Sequence, residues 1–184
     1  NARVTNAELL KNGRRIPFDS LILSSYYEND VKVLSALSNE FKATVKGDFS
    51  INDLPNAFTL LLSNYYPAYI KTPVRRPRNQ SISFDIETFY ADEYIQLIDS
   101  SLAGFNNSRI MGDLNLNTNE MNLTADIPQF KYKQYNFDNV NVVAKGNFDN
   151  LIVNGQVFNI RINDSLNIPM AEFAINASND SSIV

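Results

Sequence analysis

Residues 41–70, FKATVKGDFSINDLPNAFTLLLSNYYPAYI, contain the change of hydrophobic period that decides the fold. In the first half, apolar residues and glycine alternate with polar residues, and this period of two is typical of a β-strand with one buried face. From Asp53 onward, apolar residues recur at helical spacings: Leu54, Phe58, Leu61, Leu62, Tyr65 and Tyr69. Asp53 is a candidate N-cap and Pro67 a candidate stop, so we predict an amphipathic helix near residues 53–66.

The same order of elements occurs a second time. Residues 81–89, SISFDIETF, alternate like a strand, and an apolar stripe behind the candidate cap Asp92 predicts a short helix near residues 92–102. The chain after this helix has the texture of one-faced strands joined by short connectors rich in Asn, Asp and Gly. Before the first helix, residues 16–25 and 31–37 also predict strands. Residues 1–15 are polar and mixed, with a turn signal at Asn12-Gly13.

These patterns predict a mainly β fold, a long antiparallel meander with two short amphipathic helices. Such a meander has one long apolar face, and each large side chain left in water forgoes about 1.5–3 kcal/mol. We therefore expect the sheet to curl on itself as a groove, a sandwich-like trough or a barrel. Alternatively, part of the apolar face stays open and holds something apolar. Alternation cannot separate an open groove from a closed sandwich, because both need it.

Composition restricts the function classes. The hydrophobic content of 44% and the charged content of 20% are those of a folded chain, and 184 residues are enough for one domain with its own core. The net charge of −4 argues against a nucleic-acid partner. No apolar run is long enough to span a bilayer as a helix. Because the chain starts in mid-pattern at Asn1, we expect residues 1–184 to be one segment of a longer repetitive β-rich region.

The sequence contains no catalytic or metal-binding signature. It has no Cys, so it has no disulfide and no thiolate metal ligand, and it has no His, the most frequent general base and metal ligand. Asp85 and Glu87 share the polar side of one strand, but nothing nearby predicts the raised pKa that an acid catalyst needs. Residues 113–124 begin like a calcium loop, yet the sixth position is Thr118 and the twelfth is Thr124. We predict no enzyme, no cofactor and no metal.

One basic cluster stands out in the Pro-rich connector at residues 72–79. Arg75, Arg76 and Arg78 could contact anionic groups such as lipid phosphates or an acidic partner. The simpler interpretation of the cluster is a solvated loop. Both interpretations stay open at this point.

Two stretches carry a family resemblance. One is residues 41–70, a glycine-bearing strand running into a short "LP" helix that ends at a tyrosine–proline pair. The other is the train of strands typified by LNLNTNEMNLTADIP at residues 114–128, with the DSLNIP step at residues 164–169. Together they resemble the repetitive β-rich region of the TamB and AsmA-like envelope proteins, most closely the TamB-type proteins of Bacteroidetes.

The resemblance implies a place and a role. Proteins of this family are anchored in the inner membrane of Gram-negative bacteria and extend through the periplasm. Their sheets fold lengthwise into a β-taco with an apolar interior, without catalytic residues or cofactors. They serve phospholipid transport between the membranes and the translocation and assembly of outer-membrane proteins. The implied partners are phospholipid acyl chains or apolar protein segments, with an outer-membrane barrel contacted by other parts of the parent chain.

A non-covalent mechanism would place the apolar cargo on the apolar side of the strands. The candidate lining residues are Val45, Phe49, Phe84, Ile86, Leu114, Leu116, Leu123, Ile127, Val142, Val153, Ile162 and Phe173. For each of them the alternative is an ordinary place in a closed core. Two other functions stay open. One is a structural or adhesive β-sandwich at the cell surface, and the other is a carbohydrate-binding module with Tyr132 and Tyr135 as its nearest aromatic candidates.

Overall fold

The computed structural model describes residues 1–11, 14–65, 67–68, 70–75, 77, 79–147, 149–163, 166–178 and 181–183. In these ranges the chain forms thirteen strands that belong to one sheet, together with two helices. The predicted helix limit at Tyr66 and the predicted turn at Asn12-Gly13 lie outside the described residues.

The sheet is an antiparallel meander, as the sequence predicts. Its main path runs in the order β1-β2-β3-β4-β5-β7-β8-β9-β10-β12-β13, with β11 paired to β10 and β6 paired to β8. The strands are β1 (Ala2–Lys11), β2 (Arg14–Glu28), β3 (Val31–Ser38), β4 (Phe41–Asp48), β5 (Ser81–Thr88), β6 (Leu102–Gly104), β7 (Arg109–Asn115), β8 (Glu120–Tyr132), β9 (Tyr135–Asn147), β10 (Leu151–Arg161), β11 (Asn167–Ile168), β12 (Ala171–Ser178) and β13 (Ser181–Ile183). Because all thirteen pair within one sheet, the described chain does not form a sandwich of two separate sheets.

The sequence pattern does not predict the strand that the N-terminal residues form. The polar and mixed segment at residues 1–15 contains β1, which pairs with β2 from Ala2 opposite Leu23 to Lys11 opposite Arg14. Its few large apolar side chains give a weak alternation signal. The strand exists because β2 offers it a free ladder of backbone hydrogen bonds.

The first helix, α1 (Leu54–Tyr65), follows a 3-10 turn at Ile51–Asp53. Its apolar stripe faces the sheet, and Ala57, Leu61 and Tyr65 are almost completely buried. Asp53 lies within the helical stretch at the end of the 3-10 turn, where its carboxylate is 3.5 Å from the Arg75 guanidinium.

The second helix, α2 (Asp92–Ile98), is shorter than predicted. The expected end at Leu102 is wrong, because Leu102 begins β6 and pairs with Tyr132 of β8. The predicted cap Asp92 is wrong as well. The side chain of Asn106 accepts hydrogen bonds from the backbone N–H groups of Ala91 and Asp92, at 2.7 and 3.3 Å, so the start of the helix is held by a residue from the following loop.

The sheet curves around α1. The ring of Phe58 on this helix contacts the ring of Phe84 on β5, with centroids 5.5 Å apart, and α1 also contacts β12. In the sheet order β5 and β12 are separated by five strand spacings, which would be about 24 Å in a flat sheet. A helix is only about 10–12 Å wide. The meander is therefore curled around its helix, as the predicted fold class requires.

Candidate functional site

The candidate site is the side of the sheet that packs against α1, which we call the inner face. Directly paired residues share a face, so the register traces rows across the strands. One row crosses ten strands and consists entirely of apolar residues and glycine: Ala2, Leu23, Ala36, Ala43, Ile86, Ile110, Ala125, Val142, Gly155 and Phe173. The next row runs through Ser25, Leu34, Val45, Phe84, Gly112, Leu123, Ala144, Val153 and Ile175. The first row is thus apolar from β1 to β12, and the second is apolar apart from Ser25 on β2.

Two glycines in these rows make room for aromatic rings. A Cβ on Gly155 would collide with the ring of Phe173, its partner on β12, and a Cβ on Gly112 would come within 2.6 Å of the Phe84 ring. Each phenyl ring therefore lies over the backbone of the neighbouring strand. This packing keeps the inner face smooth and closely filled in its C-terminal half.

Helix α1 covers one part of the inner face. Its residues Ala57, Leu61 and Tyr65 form a buried cluster with Phe49, Ile82, Leu114, Met121, Ala144, Leu151 and Ala177. Of the predicted lining residues, Phe49 and Leu114 are buried in this cluster, and Val45, Leu116, Leu123 and Val153 pack against it. Phe84, which contacts Phe58, is 7% exposed. These seven positions act as core beneath a helix.

A second cluster fills the inner face next to it. Ile127 is buried with Ala125, Val140 and Val157, and the predicted lining residues Leu123, Val142 and Phe173 pack against this group. The rings of Phe105, Phe130 and Phe137 complete the cluster as a stack, with centroids 5.1 and 4.5 Å apart. Ile86 is half-buried in the ten-strand row, and Ile162 is half-buried just beyond the end of β10.

A hydrogen bond from Tyr65 links the C-terminal end of α1 to the end of β9. The Tyr65 hydroxyl donates this hydrogen bond to the backbone carbonyl of Asn147. Burial, reinforced by the nearby Asp149 carboxylate, raises the pKa of Tyr65 to about 12. Gly146 leaves the space in which this hydroxyl sits, since a Cβ there would lie 2.8 Å from it. The helix is held by apolar packing along its stripe and by the Tyr65 hydrogen bond at its C-terminal end.

The inner face is more open toward β1. Along the ten-strand row, Ala125 is 6% exposed whereas Leu23 is 38% exposed, and Val4, which pairs with Leu21, is 42% exposed. We call the inner side of β1, β2 and β3 the open end. Sequence reasoning missed it, because every predicted lining residue lies at or after Val45. The alternation at residues 20–25 marks a strand, but only the pairing register shows that Leu21 and Leu23 share a face with Val45.

The opposite side of the open end is not uniformly polar. Val33 lies on the face opposite Leu34 and is completely buried, between its strand partners Tyr26 and Lys46. Leu37 on the same side is 46% exposed. Both faces of β3 therefore carry apolar residues, whereas only the inner face continues them as an unbroken row across the sheet.

The outer face of β4, β5 and β7 carries paired charges. Arg109 makes two hydrogen bonds to Asp85, at 3.1 and 2.7 Å, and lies 3.7 Å from Glu87. The hydrogen bonds from Arg109 hold the pKa of the Asp85 carboxyl below its ordinary value. An acid catalyst needs the opposite shift. The geometry thus gives the Asp85 and Glu87 pair the character of an exposed ion-pair network.

The remaining candidates are spread over the surface. Arg75 is exposed and paired with Asp53, while Arg76 and Arg78 lie outside the described residues. Residues 113–124 belong to the β7–β8 hairpin, in which the Asn115 side chain accepts hydrogen bonds from the turn. Within the described ranges, no group of three or more Asp or Glu side chains is arranged to hold a metal ion. Tyr132 and Tyr135 face each other across the β8–β9 turn, the first exposed and the second half-buried.

Comparison with protein-family models, with curated proteins and with solved structures finds no match to this chain. Within the described residues, neither helix has the length and apolar character needed to cross a bilayer. Function therefore has to be argued from the inner face itself.

Proposed function

We propose that this chain is a non-enzymatic segment that holds apolar chains on the inner face of its sheet, with the open end as the binding surface. The cargo would be the acyl chains of phospholipids or apolar segments of proteins in transit. Binding would replace water on the exposed leucine and valine side chains, at roughly 25 cal/mol for each Å² of apolar surface buried. No covalent step is involved.

The observation that carries this proposal is the uninterrupted ten-strand row. Toward β12 the row is covered by side chains of the protein's own core, and toward β1 it ends at Leu23 and Ala2, which are both exposed. An apolar surface continuous with a core is energetically suited to an apolar ligand, because the ligand extends packing that already exists. The part of the row that the core covers holds the sheet in its curled shape.

The resemblance to TamB and AsmA-like proteins is consistent with this proposal. It would place the segment in the periplasm of a Gram-negative bacterium, within a longer chain anchored in the inner membrane. On that hypothesis, the open end takes part in phospholipid transport or in the handling of outer-membrane proteins. Helix α1, which a plain trough does not need, would close one part of the inner face and leave the other accessible.

A charge placed at the open end tests the proposal. In Leu23→Glu, the carboxylate stays hydrated because the site is 38% exposed, so we expect the protein to fold but to lose binding of an apolar fluorescent probe such as N-phenyl-1-naphthylamine, by at least tenfold in affinity. Fluorescence titration measures the affinity and circular dichroism checks the fold.

Ser24→Glu is the matched control, since Ser24 pairs with Ser35 on the opposite face of the same strand. It should bind the probe like the unmodified protein. If the unmodified protein binds no apolar probe, or if both variants weaken binding equally, the open end is not the binding surface and a purely architectural role replaces the proposal.

A further inference from the structure

Lys32 is a charged residue placed on the apolar inner face. It lies in the row Tyr27, Lys32, Gly47, Ile82 and Leu114, two residues before Leu34 on β3. The other residues of this row and of the two neighbouring inner rows carry no charge. An unpaired cation at such a position costs solvation energy, and an anionic ligand would offset that cost.

The contacts of Lys32 leave donors free. Its ammonium lies 5.0 Å from the ring centroid of Phe49 and donates a hydrogen bond of 3.2 Å to the Phe49 carbonyl. Among the described residues it forms no ion pair. An ammonium has three N–H donors, so two remain for a ligand. Phe49 belongs to the cluster under α1, and Lys32 thus stands where the covered inner face meets the open end.

At the boundary farthest from Lys32, the open end borders an acidic surface. Leu21 on β2 pairs with Ser38 at the end of β3, and beyond them lies a cleft of about 510 Å³ lined by Asp19, Glu40 and Glu93. Ser38 lies six positions after Lys32 on β3, which is about 20 Å along a strand and close to the length of an extended long acyl chain. A ligand with one anionic end would be oriented, with that end at Lys32 and its tail toward Leu21.

We propose that the open end binds a long-chain carboxylate, with Lys32 contacting the carboxylate and the apolar residues Leu34, Leu23 and Leu21 contacting the chain. This inference rests on the proposed function, because it needs an open end that holds an acyl chain, and it adds fatty acids to the ligands of that surface. A carboxylate fits better than a phosphate. Phosphate sites in proteins draw on several backbone N–H groups, at helix N-termini or in nests, whereas β3 is an interior strand whose backbone pairs with β2 and β4. The backbone of β3 at Lys32 therefore adds no free N–H group to the ammonium.

The test compares oleate with oleyl alcohol, which has the same chain and no charge, both below their aggregation concentrations. The protein has a net charge of −4, so overall electrostatics disfavour the anion, and a preference for oleate signals a local contact. We expect the unmodified protein to bind oleate at least tenfold more tightly than oleyl alcohol. Lys32→Met should reduce this ratio to below threefold without changing the affinity for oleyl alcohol.

Two further variants and one further ligand complete the experiment. Lys32→Arg keeps the charge and Lys42→Met removes a cation from the outer face of β4, so both should retain the preference for oleate. The inference is overturned if the unmodified protein shows no preference, if folded Lys32→Met keeps it, or if lysophosphatidylglycerol binds more tightly than oleate. If oleyl alcohol itself does not bind, the proposed function fails. If the unmodified protein binds oleate and oleyl alcohol with about the same affinity, only the role of Lys32 is excluded.

Discussion

Replacing Leu61 by alanine should lower the free energy of unfolding by about 2–5 kcal/mol, the range measured when a buried leucine is truncated. Leu61 is 1% exposed and lies at the centre of the cluster that joins α1 to the curled sheet. The loss would be a large share of a total stability of about 5–15 kcal/mol. Urea denaturation followed by circular dichroism measures it.

The neighbouring residue provides a matched control. Leu62 is on the same helix and is 39% exposed, so Leu62→Ala removes the same atoms from a site already partly in water. We expect it to cost less than about 1 kcal/mol. Equal effects of the two substitutions would contradict the position of α1 against the sheet.

Leu123→Glu should prevent folding or come close to doing so. Leu123 packs against both core clusters, under α1 on one side and next to Ala125 and Ile127 on the other. A carboxylate there loses hydration without a cationic partner, which costs several kcal/mol. The expected result is a chain without a cooperative thermal transition.

Thr124→Glu serves as the comparison, because Thr124 is exposed on the outer face and pairs with Met111 and Val143. It should fold with a melting temperature within a few degrees of the unmodified protein. A stable, cooperatively folding Leu123→Glu protein would mean that the C-terminal half of the inner face is wet, and the open groove would then extend along the whole sheet.

The period of the sequence predicts much of this fold. The switch from two-residue to helical spacing at Asp53 gives the start of α1 within one residue, whereas β4 ends at Asp48, three residues before the alternation does. The alternation after residue 109 gives the meander. What it misses depends on tertiary context. Strand β1 forms on the hydrogen-bonding edge of β2, and α2 ends early because the chain must turn so that Leu102 can pair with Tyr132.

The candidate site is harder to predict than the fold. Alternation shows that Leu123, Phe84 and Leu21 each lie on an apolar face, but it does not show which of these faces lies under α1. That distinction follows from the register across ten strands and from the curl that brings β12 to the helix. The position of Lys32 on the inner face could not be predicted from the sequence either. In VKVLSAL it is an ordinary polar residue of an alternating strand, and only the strand pairing shows that its row partners are Tyr27 and Gly47.

The most direct test of the proposed binding surface is site-specific photocrosslinking in the presence of phosphatidylethanolamine and phosphatidylglycerol vesicles. A photoreactive residue at Leu23 probes the open end, one at Leu123 probes the covered inner face, and one at Ser24 probes the outer face. We expect lipid adducts at Leu23, only adducts within the protein at Leu123, and background at Ser24. A folded protein that gives no lipid adduct at Leu23, or as many at Ser24 as at Leu23, would contradict a lipid-binding inner face.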